Sequence, residues 1–336
     1  MTAVFFGEPR APPAQISITL PLGRRSPANG GAEAIAAPGG DGASIAQMYI
    51  LRACRGIPLS PMPPAGGKSA ATGRRKERVV RHIASISFGK DSLAMLLLLL
   101  EKEMPLDEVI FYNSGMEFQA IYDIRDQVKP ILEQRGIRFT EVEPDASFLY
   151  HMLERPVNSK KNGFHLGYGW CGGPCRWGTK LKTNALDGLA LNPEVHYVGI
   201  AADEPERLDR LKPPKCSPLA EAKMTEADCL AYCYQRGFFW EENGIRLYDI
   251  LDRVSCWCCK NKNRKELKAI YQYLPQYWEK LKELQAQIPM PMKPYSRKGV
   301  PYGNVFDLEK VFEQEIREEA SGTAPKQKRR RHEQGR

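Results

Sequence analysis

Residues 81–104 read RHIASISFGKDSLAMLLLLLEKEM. The run from Arg81 to Ser87 leans apolar and reads as a strand, and Phe88-Gly89-Lys90-Asp91 is a turn of small and charged residues. From Ser92 the chain enters a helix whose Leu96 to Leu100 run is apolar on most sides and so belongs inside a core. A strand that stops at a glycine-containing turn and restarts as a helix aims free backbone N–H groups, and the positive end of the helix dipole, at one spot. A phosphate suits that spot. Within it Gly89 allows close backbone approach, Lys90 supplies a point charge, and Ser87 and Ser92 offer hydroxyls. Asp91 can cap the helix or help hold magnesium on a nucleotide. Spacing alone leaves a second reading open, an ordinary strand-to-helix turn with its lysine in solvent.

The same alternation continues outward. Residues 107–112 (DEVIFY) read as a strand ending at Asn113-Ser114-Gly115. Residues 117–135 place Ile121, Ile124, Val128, Ile131 and Leu132 at helical spacing, and Gly136 closes that helix. Residues 137–142 (IRFTEV) and 195–200 (VHYVGI) are further strands, the last stopping at Ala201-Ala202-Asp203-Glu204-Pro205-Glu206-Arg207. Strands alternating with helices of this length predict an α/β fold, a Rossmann-like parallel sheet flanked by helices, with a C-terminal helical, cysteine-rich extension. In such a sheet ligands bind at the carboxyl ends of the strands, where the turns after Ser87 and Tyr112 lie. Residues 145–170 read as loop, and a helix is expected up to about Leu191. Thr225 opens a helix through Tyr234 with Asp228 in the reciprocal place of a capping box. One helix is expected over residues 264–287.

Composition divides the 336 residues further. Residues 1–80 hold 21 Gly plus Pro and no periodic run, the composition of a disordered extension. Residues 1–82 carry 11 Lys and Arg against 4 Asp and Glu, residues 321–336 carry 6 against 1, and residues 83–320 are left with 32 against 35. The formal charge of +9 therefore belongs to the ends, which read as solvated or as electrostatic contacts to nucleic acid. The expected units are a disordered extension over 1–80, a nucleotide-binding domain over 81–288, an extension over 289–320 and a basic tail over 321–336. No apolar run approaches the roughly 18 residues of a membrane span, and no signal peptide stands near Met1. A cytoplasmic location is expected.

The 9 cysteines are too few for a disulfide scaffold. Cys171 and Cys175 come from one loop, and Cys256 and Cys259 form a CxxC in another. Four sulfurs so arranged suit an iron–sulfur cluster or zinc, with Cys258 able to replace a neighbour. Free thiols remain the third reading. Cys229 and Cys233, four apart on a helix, read as buried small hydrophobes. Trp170, Trp177 and Trp257 flank the thiols as packing that keeps water away. Arg176, Lys180 and Lys182 are either phosphate partners or a solvated helix face. Asp203, Glu204 and Arg207 follow a strand end and are placed in the site, with a surface ion pair as the alternative. The five histidines have no ligand-like spacing.

The string SFGKDS resembles the SGGKDS signature of the PP-loop adenine nucleotide α-hydrolases, the superfamily of phosphoadenosine phosphosulfate (PAPS) reductases, ATP-sulfurylase small subunits and thiolation enzymes. Phe88 stands where the signature has its first glycine. Asn113-Ser114-Gly115-Met116-Glu117-Phe118 is similar to the DTG-x-x-F turn of PAPS reductases. The Gly199 to Arg207 segment is similar to their G-x-R-x-D-E…R stretch, with Ala201 in place of the arginine. The resemblance implies that ATP or PAPS is bound with Mg2+ by Ser87, Phe88, Gly89, Lys90, Asp91, Ser92, Asn113, Ser114, Gly115, Asp203, Glu204 and Arg207, with Lys90 and Asp91 catalytic. It also implies a [4Fe–4S] cluster on Cys171, Cys175, Cys256 and Cys259, zinc being the alternative. The reaction lies beside the α-phosphate, either sulfonucleotide reduction or ATP-dependent thiolation. No cysteine follows Cys259, where reductases carry a C-terminal nucleophile, so a reductase would need another nucleophile or a partner. A desulfurase or thioredoxin-like protein is the expected donor of sulfur or electrons. The non-enzymatic alternative is a metal-stabilised nucleotide-binding adaptor that reaches nucleic acid through its basic ends.

Overall fold

The apolar run before the SFGKDS turn forms β1 (His82–Ile86), and its alternation sends Ile83 to one face of a sheet and Ala84 and Ile86 to the other. The structure, a computed structural model, describes residues 81–160, 162–170, 175, 181–189, 193–293 and 303–321. The extension over 1–80 with Cys54, the tail beyond Ser321, and Cys171, Arg176, Trp177 and Lys180 lie outside the described residues.

After β1 come α1 (Lys90–Glu101), β2 (Glu108–Tyr112), α2 (Gln119–Gln134) and β3 (Arg138–Val142). A single π-turn (Tyr150–Glu154) leads to an antiparallel hairpin of β4 (Pro156–Ser159) and β5 (Gly163–Leu166), in a stretch read as loop from sequence. Then follow α3 (Lys182–Leu189), β6 (Val195–Val198), α4 (Pro205–Leu208), β7 (Lys215–Cys216), α5 (Pro218–Glu221) and α6 (Glu226–Gln235). A short hairpin of β8 (Glu241–Glu242) and β9 (Ile245–Arg246) precedes α7 (Leu247–Ile250), α8 (Arg264–Tyr273), α9 (Pro275–Gln287) and α10 (Val305–Ala320).

Five strands make one parallel sheet in the order β3-β2-β1-β6-β7, the expected Rossmann-like α/β class. The order runs outward from β1 through β2 to β3 and resumes on the other side at β6. The switch point therefore falls between β1 and β6, where open α/β sheets hold their ligands. The residues of α1 from Ser92 to Leu100 are all buried, because β1 covers one side and α5 and α6 cover the other. Each leucine so enclosed contributes roughly 1.5–3 kcal/mol. The opposite face of the sheet is covered at Ile83, Ile110 and Tyr112 by Leu186 of α3.

Two C-terminal features depart from the sequence reading. The single helix expected over 264–287 is two, because Pro275 has no N–H to continue α8 and instead opens α9 at its first turn. Residues 304–320, read without an element, form α10, whose N-cap Asn304 and Asp307 make a capping box. Val305, Leu308 and Phe312 are its buried stripe, and Arg264 and Lys268 of α8 pair with Glu315 and Glu319. Among the described residues no helix is long and apolar enough to cross a membrane.

Candidate functional site

The turn between β1 and α1 is built by its own serines. The Ser92 hydroxyl accepts the Ser87 N–H at 3.1 Å, lies 3.1 Å from the Ser87 hydroxyl, and donates to the Gly89 carbonyl at 3.1 Å. Gly89 is the N-cap of α1 and has no side chain to cap it. β6 approaches this start closely: a Cβ on Gly199 would stand 2.7 Å from Ser92 Cα, so only glycine fits.

Lys90 is 8% exposed, and its ammonium donates at 2.7 Å to both Asp91 and Glu226. Burial alone would lower its pKa, but the two carboxylates outweigh that and hold it above the ordinary lysine value. Burial raises the Asp91 pKa, with Lys90 opposing the shift. Glu226 is presented by the N-terminus of α6, where its backbone N–H is taken by Asp203 at 3.0 Å. Asp203 thus reaches the site through Glu226.

A cavity of about 200 Å³ opens beside this group, lined by Ser87, Gly89, Lys90, Asp91, Ser92, Gly199, Glu204, Arg207, Glu226, Tyr248 and the segment from Asp252 to Ser255. Glu204 and Arg207 face it as an ion pair at 2.5 Å. Asp91, Glu204, Glu226 and Asp252 face Lys90, Arg207 and Arg253, so the wall has more carboxylates than cations. Hard oxygen donors beside a phosphate-sized cavity fit magnesium.

Phe88, expected among the nucleotide-binding residues, turns its side chain away from the cavity. It holds φ 56° and is 0% exposed, its ring packed edge-on to Phe111 at 5.0 Å and tilted to Phe139 at 6.1 Å. Its carbonyl accepts the Trp240 indole N–H at 2.7 Å. Trp240 is itself edge-on to Tyr248 at 5.0 Å, and the Tyr248 hydroxyl accepts the Lys90 N–H at 2.9 Å.

Asn113, Ser114 and Gly115 are absent from the wall of this cavity, and their turn lies against Cys256. The Asn113 side-chain oxygen accepts the Gly115 N–H at 2.9 Å, and its amide donates to Glu141 at 2.9 Å. The Ser114 hydroxyl donates to Glu117 at 3.1 Å and lies 3.9 Å from the Cys256 sulfur, which is 3.7 Å from Glu117. The Trp257 N–H donates to the Met116 carbonyl at 3.0 Å, fastening the Cys256 loop to the β2 turn.

Burial, with Glu117, Cys258 and Cys259 adding to it, pushes the Cys256 thiol well above its ordinary pKa. Cys258 is raised by burial and then by Cys259, with Cys175 near enough to contribute. Cys175 and Cys256 pack half-buried against the same core. Lys262, 3% exposed, stands beside these sulfurs; burial lowers its pKa, and it donates to the carbonyl of Arg253, a residue of the cavity wall. Soft sulfur donors gathered in one buried place fit a soft metal, which would bind them as thiolates. Cys171, the fourth expected ligand, lies outside the described residues, and among the described residues no three His, Cys, Asp or Glu are arranged around a metal position.

Cys229 and Cys233 are fully buried on α6, as expected of small hydrophobes, and burial raises the Cys229 thiol to about 12. Glu226, Tyr248 and Arg253, which line the cavity, and Trp240, which braces it, are not singled out by the sequence. Only Glu226 carried a signal, the capping box at Thr225.

The phosphoadenosine phosphosulfate reductase domain is matched over residues 81–161, from β1 into the β4–β5 hairpin, in agreement with the resemblance carried by SFGKDS and NSGMEF. Among solved structures the chain is similar to the U34-tRNA thiolase NcsA from Methanococcus maripaludis with its [4Fe-4S] cluster. The identity is 15%, the TM-score 0.36, and the match covers 70% of this chain and 71% of that one. No curated protein matches the chain.

Proposed function

We propose that this chain, with a PAPS-reductase-like segment around its switch point, is a PP-loop enzyme that binds an adenine nucleotide and acts beside its α-phosphate in sulfur transfer. One observation carries the reading: a buried, doubly carboxylate-bound lysine and the start of α1 line the same cavity at the switch point. In the reaction favoured here the nucleotide is ATP. A substrate oxygen attacks the α-phosphorus, the bond to the bridging oxygen breaks, and pyrophosphate leaves with that electron pair. The Lys90 ammonium and the positive end of α1 stabilise the negative charge on the phosphoryl oxygens, the largest usual catalytic contribution. Asp91 and Glu226 keep Lys90 protonated and aimed. Magnesium held by Asp91 and Glu204 would neutralise further phosphate charge.

A sulfide-level sulfur nucleophile from the donor then attacks the carbon that bears the adenylylated oxygen, the carbon–oxygen bond breaks, and AMP leaves with that electron pair. Cys175, Cys256 and Cys259, with Cys171, would hold the [4Fe–4S] cluster or zinc, which supplies a site where sulfur is bound and passed on. Ser114 and Glu117 position Cys256, and the Trp257–Met116 bond keeps that loop against the sheet. A desulfurase or thioredoxin-like protein would supply sulfur or electrons. Sulfonucleotide reduction is the second reading, favoured by the identity of the matched domain.

Incubation of anaerobically purified protein with ATP or PAPS separates them. Pyrophosphate release supports activation of an acceptor, sulfite release supports reduction, and tight binding with neither leaves the nucleic-acid adaptor. Lys90→Ala is expected to lower either rate at least about 100-fold, equivalent to roughly 2.7 kcal/mol. Unchanged turnover in that variant would refute the assignment of the loop.

A further inference from the structure

Tyr248 meets the backbone of the very helix that would receive a phosphate. The N–H of Lys90 is one of the orphan donors at the start of α1, and Gly89 has no side chain to satisfy it. The Tyr248 oxygen accepts that N–H at 2.9 Å. A phenol oxygen that accepts one hydrogen bond still carries its own hydrogen, and among the described residues no acceptor takes it. The side chain lines the same cavity as Ser87, Gly89, Lys90 and Asp91. Its ring is braced edge-on at 88° against Trp240, whose indole is fixed to the Phe88 carbonyl. Burial pushes the phenol far above its ordinary pKa, so the oxygen keeps its hydrogen throughout the neutral range.

We infer that Tyr248 is a phosphate-recognition residue of the nucleotide site, its hydroxyl taking the Lys90 amide and donating its own hydrogen to a non-bridging phosphate oxygen. The inference rests on the nucleotide reading above and adds a residue to it. The helix start is then read through a phenol, in a chain from N–H to O–H to phosphate oxygen in which each bond polarises the next. The bond to the phosphate is charge-assisted and so is the stronger of the two. Any ligand that lacks a phosphate at this position gains nothing from it.

The test measures dissociation constants of ATP, PAPS and adenosine for the full chain, for Tyr248→Phe and for Lys90→Ala, with the unfolding temperature of each. Tyr248→Phe keeps the ring and removes only the hydroxyl. The expected result is a loss of about 10- to 100-fold in affinity for ATP and PAPS, with adenosine affinity within about twofold of the parent. Unchanged ATP affinity would overturn the inference. So would tighter ATP binding, which would make the hydroxyl an occupant that phosphate must displace. An equal loss for adenosine and ATP with a lowered unfolding temperature would also overturn it, since a purely structural cap acts on both. If Lys90→Ala loses ATP while Tyr248→Phe does not, only the tyrosine inference fails. If Lys90→Ala binds ATP as the parent does, the nucleotide site itself fails.

Discussion

The turns that end β1 and β2 each place one residue in the left-handed region, Phe88 at φ 56° and Gly115 at φ 73°, and they are held there by opposite means. Gly115 needs no help from side-chain packing: glycine adopts that backbone freely, and Asn113, two residues earlier, fixes it through one hydrogen bond. Phe88 is a residue for which the left-handed conformation costs about 1–2 kcal/mol. It is kept there by a ring sealed between Phe111 and Phe139 and by an indole 152 residues away in sequence. One turn is local chemistry, and the other is imposed by the tertiary fold. Strain held at a site in this way keeps the loop in one shape before any ligand arrives.

Three substitutions sharpen or break that contrast. Phe88→Gly relieves the strain but deletes a buried aromatic ring, worth about 3–5 kcal/mol, so a net loss of roughly 1–4 kcal/mol is expected in urea unfolding. A variant as stable as the parent would show that the ring does not hold the turn. Trp240→Phe leaves the Phe88 carbonyl without its donor and is expected to cost about 1–2 kcal/mol, with weaker ATP binding and unchanged alkylation of Cys256. Faster Cys256 alkylation in that variant would mean the two turns are coupled. Gly115→Ala meets no atom within 4 Å, so its cost is the backbone alone, about 1 kcal/mol. Its effect is expected on Cys256 alkylation rates and not on the ATP dissociation constant; the reverse pattern would return the β2 turn to the nucleotide cavity.

The parallel sheet and the SFGKDS turn were legible because strand period, turn residues and helix start fall within one short window. Cys229 and Cys233 were legible as buried residues on the same grounds. The cavity wall was not. Glu226 and Tyr248 meet Lys90 across 136 and 158 residues, and no local pattern marks a tyrosine whose oxygen ends on a distant amide. Asp203 and Asn113 both follow strand ends, and each makes a hydrogen bond that no sequence pattern announces. Asp203 holds the amide of Glu226, and Asn113 shapes a turn that faces sulfur. Pro275 broke a helix whose apolar period runs on without interruption, a case where backbone chemistry overrides patterning. Phe88 was read as a departure from a glycine signature, and its ring belongs to the core.

The pairing of Lys90 with Glu226 also ties the SFGKDS turn to sequence synthesised much later. Residues 81–161, which carry the matched domain, leave the ribosome before residues 199–248, with Asp91 as the carboxylate already beside Lys90. Its second counter-charge, the strand that closes on Ser92, and the indole and phenol that hold the loop all come from residues 199–248. Burying that ammonium without them would cost several kcal/mol, so the buried form of the loop depends on α6 and α7. A fragment ending at residue 161 would keep the SFGKDS turn and lack the cavity walls that residues 199–255 supply.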